Sequence, residues 1–303
     1  MINLSTGAFY ERATRQIGGL RERANDLQNQ IGSGERLSRS SDDPVAAARL
    51  RTLARRDRLA EVDQRNSDRA MDDLQLTDEA LGSLAQITAR AKELAMQTAN
   101  GSVGPAQRQL LRAEIDGVRE SMLLVANSRN SVGQALFGGQ APGLAYQDNG
   151  TGLAYVGTST AESVAIGDGQ SVTRAMTGPE VFAFDLAGTP SDMFTVLGAL
   201  SLALQDPLAD HAAAGRAAMG GIDAGLEKVA TAQTIIGARM GWIEIIDDRR
   251  VKTGELVADE RAAIGGADLA TTMTRLQEVL TVLEASQASF VRLAGLSLFD
   301  QLR

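Results

Sequence analysis

The chain of 303 residues contains no cysteine, one histidine and one tryptophan. Without cysteine there can be no disulfide and no thiolate metal site. A lone His211 removes almost every nucleophile–base triad and most histidine-based metal centres. Aromatic residues make up only 4% of the chain, which suits thin helical seams better than a large globular core. No stretch approaches the run of roughly 18 apolar residues needed to cross a bilayer, so membrane insertion is not expected. Met1 to Gly19 also lacks the basic n-region and continuous apolar h-region of a cleavable signal peptide. The formal net charge of −8 leaves no broad basic face for nucleic acid. The first sixty residues are Arg-rich and slightly basic, but interleaved Glu and Asp make them a solvated helix face.

Helical spacing is what the two ends share. From Ile2 the apolar positions run Phe9, Ala13, Ile17, Leu20, Ala24, Leu27 and Ile31. Near the other end they run Leu269, Met273, Leu276, Leu280, Leu283, Phe290 and Leu293, with Gln287 on one seam position. Steps of three and four residues put such positions on one narrow stripe, which a helix buries against another helix. Gly32-Ser33-Gly34 stops the first segment. Ser41-Asp42-Asp43-Pro44 then starts a long helix, since Asp suits the N-cap and Pro loses no hydrogen bond at the first position. Its seam takes in Leu59, Val62, Asn66, Ala70, Leu74, Thr77, Leu81, Leu84, Ile87, Ala91 and Leu94, as far as Gly101 to Pro105. A further helix is expected over about Ala106–Leu136, with Leu110, Leu111, Ile115, Val118, Met122 and Val125.

The period fails at Phe137-Gly138-Gly139. Leu144–Gln147 and Leu153–Val156 flank Asp148-Asn149-Gly150, a hairpin signal. A second hairpin joins Ser163–Ile166 to Ser171–Thr173 through Gly167-Asp168-Gly169, and the β-rich part closes near Phe182–Phe184. Helical patterning returns at Ser191-Asp192 with Phe194, Leu197, Leu200 and Leu204. It continues beyond Pro207 through Ile222, Leu226, Val229, Gln233, Ile236, Met240, Ile243, Asp247 and Val257. Gly265-Gly266 breaks it and Asp268 caps the last helix.

No constellation points to catalysis, and no cofactor or metal is expected. Gly150 and Gly152 begin a Gly-x-Gly, but Tyr155 occupies the third position. Asp42 and Asp43 read as helix caps rather than an acid–base pair. Asp247-Asp248 beside Arg249-Arg250 reads as a solvated or salt-bridged face, and Trp242 as a packing anchor near a seam. What remains is assembly. Helices with thin seams gain order by packing, so burying the ends between subunits would fold them and stabilise a polymer together.

Gln30-Ile31-Gly32-Ser33-Gly34-Glu35-Arg36-Leu37, followed by Ser40 to Ala48, resembles the spoke segment and following helix of the bacterial flagellin superfamily. The final helix resembles that family's C-terminal packing helix. Asp43-Pro44-Val45-Ala46-Ala47, the ending Leu296-Ser297-Leu298-Phe299-Asp300-Gln301-Leu302, and the central run from Leu136 to Phe182 resemble the hook–filament junction members rather than filament flagellins. Thr271-Thr272, Gln301 and Arg303 depart from that pattern.

The resemblance implies a mainly α fold with a small β-rich insert, an antiparallel helical rod formed by the terminal segments, and an outward β domain. The expected divisions are 1–43 and 265–303 as polymerising ends, 44–136 and 191–264 as halves of the rod, and 137–190 as the β domain. Ile17, Leu20, Leu27 and Ile31, with Leu276, Leu280, Leu283, Phe290, Leu298 and Phe299, are expected at the polymerisation interface; Asp42, Asp43 and Pro44 form the cap and spoke. Implied partners are other copies in a helical layer, hook-associated protein 1 below, flagellin above and a cytoplasmic export chaperone. The layer would lie outside the cell, reached by type III export without a cleaved signal. A small filament flagellin is the second reading; a central-domain enzyme and a cytoplasmic coiled-coil scaffold stand behind it.

Overall fold

The computed structural model describes residues 3–100, 103–148 and 152–300. Along the chain lie α1 (Asn3–Ser33), α2 (Pro44–Ala99), α3 (Pro105–Ala126), β1 (Tyr146–Asp148), β2 (Leu153–Tyr155), β3 (Ser163–Gly167) and β4 (Gln170–Thr173). They are followed by α4 (Gly178–Phe182), β5 (Ala183–Leu186), β6 (Thr189–Asp192), α5 (Met193–Gln205), α6 (His211–Gly265) and α7 (Leu269–Asp300). The fold is mainly α with a small β-rich central region. Two compact units divide it: 1–59 with 252–303, and 60–251. Ile2, Gly101-Ser102, Asn149-Gly150 and Gln301 to Arg303 lie outside the described residues.

Helix starts follow local chemistry. Asp43 Oδ1 accepts the N–H of Ala46 at 3.0 Å, directly before α2 begins at Pro44. Pro105 opens α3 behind Gly104. Asp192 accepts from Thr195 N at 2.8 Å before α5, and Asp210 from Ala213 N at 2.9 Å at the start of α6. Each carboxylate satisfies one of the N–H groups that a helix leaves unpaired in its first turn.

The unit of residues 60–251 holds the main core. Leu74, Leu81, Leu84 and Leu94 of α2 are buried, as are Ile115 and Met122 of α3. Leu197 and Leu200 of α5 and Ile222, Ile236 and Ile243 of α6 complete it. An aromatic cluster sits beside this core: Tyr146 lies 5.2 Å from Phe182 and 5.1 Å from Phe194, and Phe137 lies 5.8 Å from Phe182. Gly178 is required there, because a Cβ would stand 2.6 Å from the Tyr146 ring. Burial raises the Tyr146 phenol well above its ordinary pKa.

Several elements differ from the spacing. The helix expected to reach Leu136 ends at Ala126. Asn127 replaces the next turn: its Oδ1 accepts from the N–H of Ala145 and of Tyr146, both at 2.9 Å, and its Nδ2 donates to Tyr146 O at 3.0 Å. One side-chain amide thus ends α3 and fixes the entry to β1. The β region is three separate antiparallel hairpins, and the third, β5–β6, carries it beyond Phe184 to Asp192. Ala187 and Gly188 turn this hairpin with φ of 53° and 85°, a left-handed geometry that Ala does not advertise.

Leu59 and Val62, expected on the α2 seam, are 59% and 44% exposed. The inward stripe instead passes through Leu53, Asp57, Ala60, Gln64, Ser67, Ala70 and Leu74, buried or half-buried at steps of three and four. Polar residues hold it because Arg250, on α6, donates to Gln64 Oε1 at 2.7 Å, Ser67 Oγ at 3.0 Å and Ile166 O at 2.6 Å, and pairs with Asp247. Leu110 and Trp242 are likewise exposed, at 67% and 41%, so Trp242 anchors no core. Arg174 fastens the β region to α2 through Asp73 at 3.1 Å, with Glu162 on its other side.

Helices α2 and α6 approach closely at Gly215, where a Cβ would lie 2.6 Å from Ala99 N and 2.8 Å from Ala95 O. Backbone atoms cannot swing aside as a side-chain tip can. Gly215→Ala should lower stability by about 1–3 kcal/mol. Gly220→Ala, five residues on with nothing within 4 Å, should raise it by up to about 1 kcal/mol. Thermal unfolding of the two variants checks the opposite signs; equal shifts would contradict the close approach.

Candidate assembly interface

In the unit formed by 1–59 and 252–303, α1 packs along α7. Tyr10 and Phe290 meet edge to face at 5.5 Å. Ile17, Leu20, Leu27 and Ile31 are only half-buried, and so are Leu276, Leu283 and Phe290. Leu280 is 36% exposed. Among the described side chains, Ala24 is the buried residue of α1 and Thr272 that of α7. The side chains of Phe9, Leu293, Leu298 and Phe299 lie outside the described residues.

The pair therefore hides one flank of each stripe and leaves the other in water. A groove of about 570 Å³ runs between Arg12, Gln16 and Ile17 on α1 and Val282, Ser286 and Phe290 on α7. Leu269, Met273, Val282 and Val291 are 48–69% exposed. Apolar surface of this extent on two paired helices gains from a further partner.

Backbone and side-chain bonds tie the inner ends of α1 and α7 together. Arg36 N donates to Gly265 O at 2.7 Å, and Ala267 N donates to Gly34 O at 2.9 Å. The Arg36 guanidinium donates to Ile264 O at 3.2 and 3.0 Å and reaches Asp43 Oδ2 at 3.3 Å. Asp42 Oδ2 accepts from Arg39 N at 2.8 Å and Ser38 Oγ at 3.2 Å. Gly34 sits at φ 69°, the left-handed region that favours glycine. Farther along, Arg49 grips Glu260 in bidentate fashion at 2.5 and 2.8 Å. Asp268 caps α7 through Thr271 N at 3.2 Å and Oγ1 at 2.6 Å.

Arg36 is the group that the spacing alone does not single out. Its neighbours offer a clue: glycine breakers, Gly32-Ser33-Gly34 and Gly265-Gly266, stand at similar distances from the two ends. Such matched breaks are where two chain segments can approach closely. Pro44, by contrast, is exposed and contributes its fixed φ at the start of α2. His211 bonds to Asp206 O at 2.9 Å and lies 3.3 Å from Arg108. Among the described residues no group of three or more His, Asp or Glu could hold a metal ion. No described helix is long and apolar enough to cross a membrane.

With this geometry in place, the chain can be set beside known proteins. Residues 4–141 match the bacterial flagellin N-terminal helical region. Along its whole length it is similar to flagellar hook-associated protein 3 of Escherichia coli (strain K12), 24% identical with 99% of each chain covered. Flagellin B of Vibrio anguillarum is also 24% identical, over 58% of this chain and 46% of its own. The crystal structure of the flagellar junction protein FlgL from Legionella pneumophila superposes with a TM-score of 0.61 at 16% identity, covering 72% of this chain and all of that one. The chain is thus similar in sequence to flagellar hook-associated protein 3 and in fold to FlgL.

The carboxylates of this joint respond to acid. Backbone N–H groups of Arg39 and Ala46 hold Asp42 and Asp43 below their ordinary 3.8; the Arg49 side chain lowers Glu260 from 4.5; Thr271 lowers Asp268. A carboxyl whose pKa is lower folded than unfolded stabilises the fold above the unfolded value, and that contribution disappears as pH falls through the folded one. Amides of Arg36, Ala46 and Ala267 should therefore lose exchange protection as pH falls below the ordinary carboxylate values of 3.8 and 4.5. Hydrogen exchange corrected for intrinsic rate measures this; unchanged protection would contradict it.

Proposed function

We propose that the chain forms a short helical layer joining hook-associated protein 1 to the flagellin filament. In this reading the segments 1–43 and 265–303 are the polymerising ends. Their stripe residues Ile17, Leu20, Leu27, Ile31, Leu276, Leu280, Leu283 and Phe290, with Leu298 and Phe299, pack between subunits. Segments 44–136 and 191–264 form the supporting helices, with Asp42, Asp43 and Pro44 at the spoke, and 137–190 is the outward β domain. The single observation that carries the reading is the α1–α7 pair, which leaves its apolar stripes half in water. Similarity to hook-associated protein 3 over 99% of both chains supports a junction role over a filament role, since the flagellin match spans 58% of this chain and 46% of that flagellin.

Thin, weakly self-sufficient ends also suit passage through a narrow export channel. The chain would leave the cell by the flagellar type III route without a cleaved signal, its C-terminal stripe covered by a cytoplasmic chaperone until then. Its place would be the extracellular flagellum.

The second reading, a small filament flagellin, is favoured by the flagellin-type match over 4–141. Position on the flagellum separates the two. The chain has no cysteine, so Ser159→Cys at an exposed site of the β region gives a single labelling point. Fluorescent maleimide should mark one short band at the filament base. Label along the whole filament would overturn the junction role. Removing Leu283 to Arg303 should abolish filament attachment; attached filaments would mean the C-terminal stripe does not assemble the layer.

A further inference from the structure

A leucine is displayed at the tip of the loop between α5 and α6. Leu208 is 93% exposed, yet the loop around it is tightly bonded. Asp206 Oδ1 accepts from Leu208 N at 2.9 Å; Asp206 O accepts from Ala209 N at 3.3 Å and from His211 at 2.9 Å. Asp210 Oδ1 caps α6 through Ala213 N. Each aspartate thus spends one oxygen on holding the loop and leaves Oδ2 without a hydrogen bond or ion pair among the described residues. The result is a rigid apolar knob flanked by two carboxylates. Holding a side chain out on a fixed loop lowers the ordering cost of docking it.

Elsewhere the chain carries a recess with the complementary chemistry. A groove of about 590 Å³ is lined by Leu37, Leu50, Ala54 and Ala258, with the exposed guanidiniums of Arg51 and Arg261. Glu35 is its one acidic lining residue. Among the described residues Arg51 bonds only to its own helix, donating to Ala47 O at 3.2 Å, and Arg261 has a long contact to Asp57 at 3.8 Å. Both cations keep donors for an incoming carboxylate. Net charge agrees in sign: residues 60–251, which carry the knob, are strongly acidic, whereas 1–59 and 252–303 are slightly basic.

We propose that the Asp206–Asp210 loop of one copy docks in the Leu37–Ala258 groove of a second copy. Leu208 enters the apolar floor, and Asp206 and Asp210 face Arg51 and Arg261. Knob and groove are different patches of one surface, so the contact is head-to-tail. Such contacts propagate into rings or helices rather than closing as a dimer. This rests on the self-assembly reading above and adds a contact made without either terminal helix.

The absence of cysteine makes the test clean. Full-length chain carrying both Ala209→Cys and Ala258→Cys, assembled on flagella and treated with a short bis-maleimide, should give a ladder of dimers and higher species. Each single variant should give no ladder. Adding Leu208→Ser should reduce the ladder by about tenfold, the scale of one interface anchor, while circular dichroism shows the fold unchanged. Chain present on flagella but recovered only as monomer would overturn the proposal. So would a monomer cross-linked within itself, or a cross-link to a different protein. If the chain is missing from flagella, the assembly reading fails instead, and purified chain at high concentration decides the contact by the same ladder.

Discussion

A helix with one narrow apolar stripe must cover that stripe with another helix, and every part of this molecule answers to that need. Where α2, α3, α5 and α6 lie together, each stripe finds partners on more than one side, and Leu74, Leu81, Leu94, Ile115 and Ile236 leave water almost completely. Where α1 meets α7 alone, two convex surfaces touch along a line. Ile17, Leu27, Leu283 and Phe290 stay half-buried because a two-helix pair has no third wall. Similar residues at similar spacing thus give a finished core in one unit and an unfinished one in the other.

Much of this was legible from spacing. Steps of three and four residues locate the long helices, and glycine and aspartate punctuation places the ends of all of them but α3. On α5 and α6 the expected seam residues Phe194, Leu197, Leu200, Leu204, Ile222, Val229, Ile236 and Ile243 are buried, while Leu226, Gln233 and Met240 are half-buried. Spacing misleads where polarity and position part company. Leu59 and Val62 draw the eye by hydrophobicity, while the inward face of α2 passes through Gln64 and Ser67, which Arg250 satisfies from across the bundle. Asn127 ends α3 through bonds to residues 18 and 19 positions ahead, and no local propensity encodes such a partner. The turn at Ala187-Gly188 lacks the Asn or Asp that marks its type.

The candidate interface was legible in part. The stripe residues of α1 and α7 can be listed from periodicity, but that they lie against each other is a tertiary fact. Arg36 shows the limit most clearly. In sequence it is one arginine among many in an Arg-rich stretch; in the fold it is bonded to Ile264 and Asp43. Its meaning depends on residues more than two hundred positions away.

That separation gives the joint a place in time as well as in space. Arg36 N and Gly265 O, like Ala267 N and Gly34 O, cannot meet until nearly the whole chain is available, whichever end appears first. Closing so long a loop is slow to occur and is rewarded only after the intervening helices have shortened the distance. The joint thus spans, in sequence, everything that lies between Gly34 and Gly265.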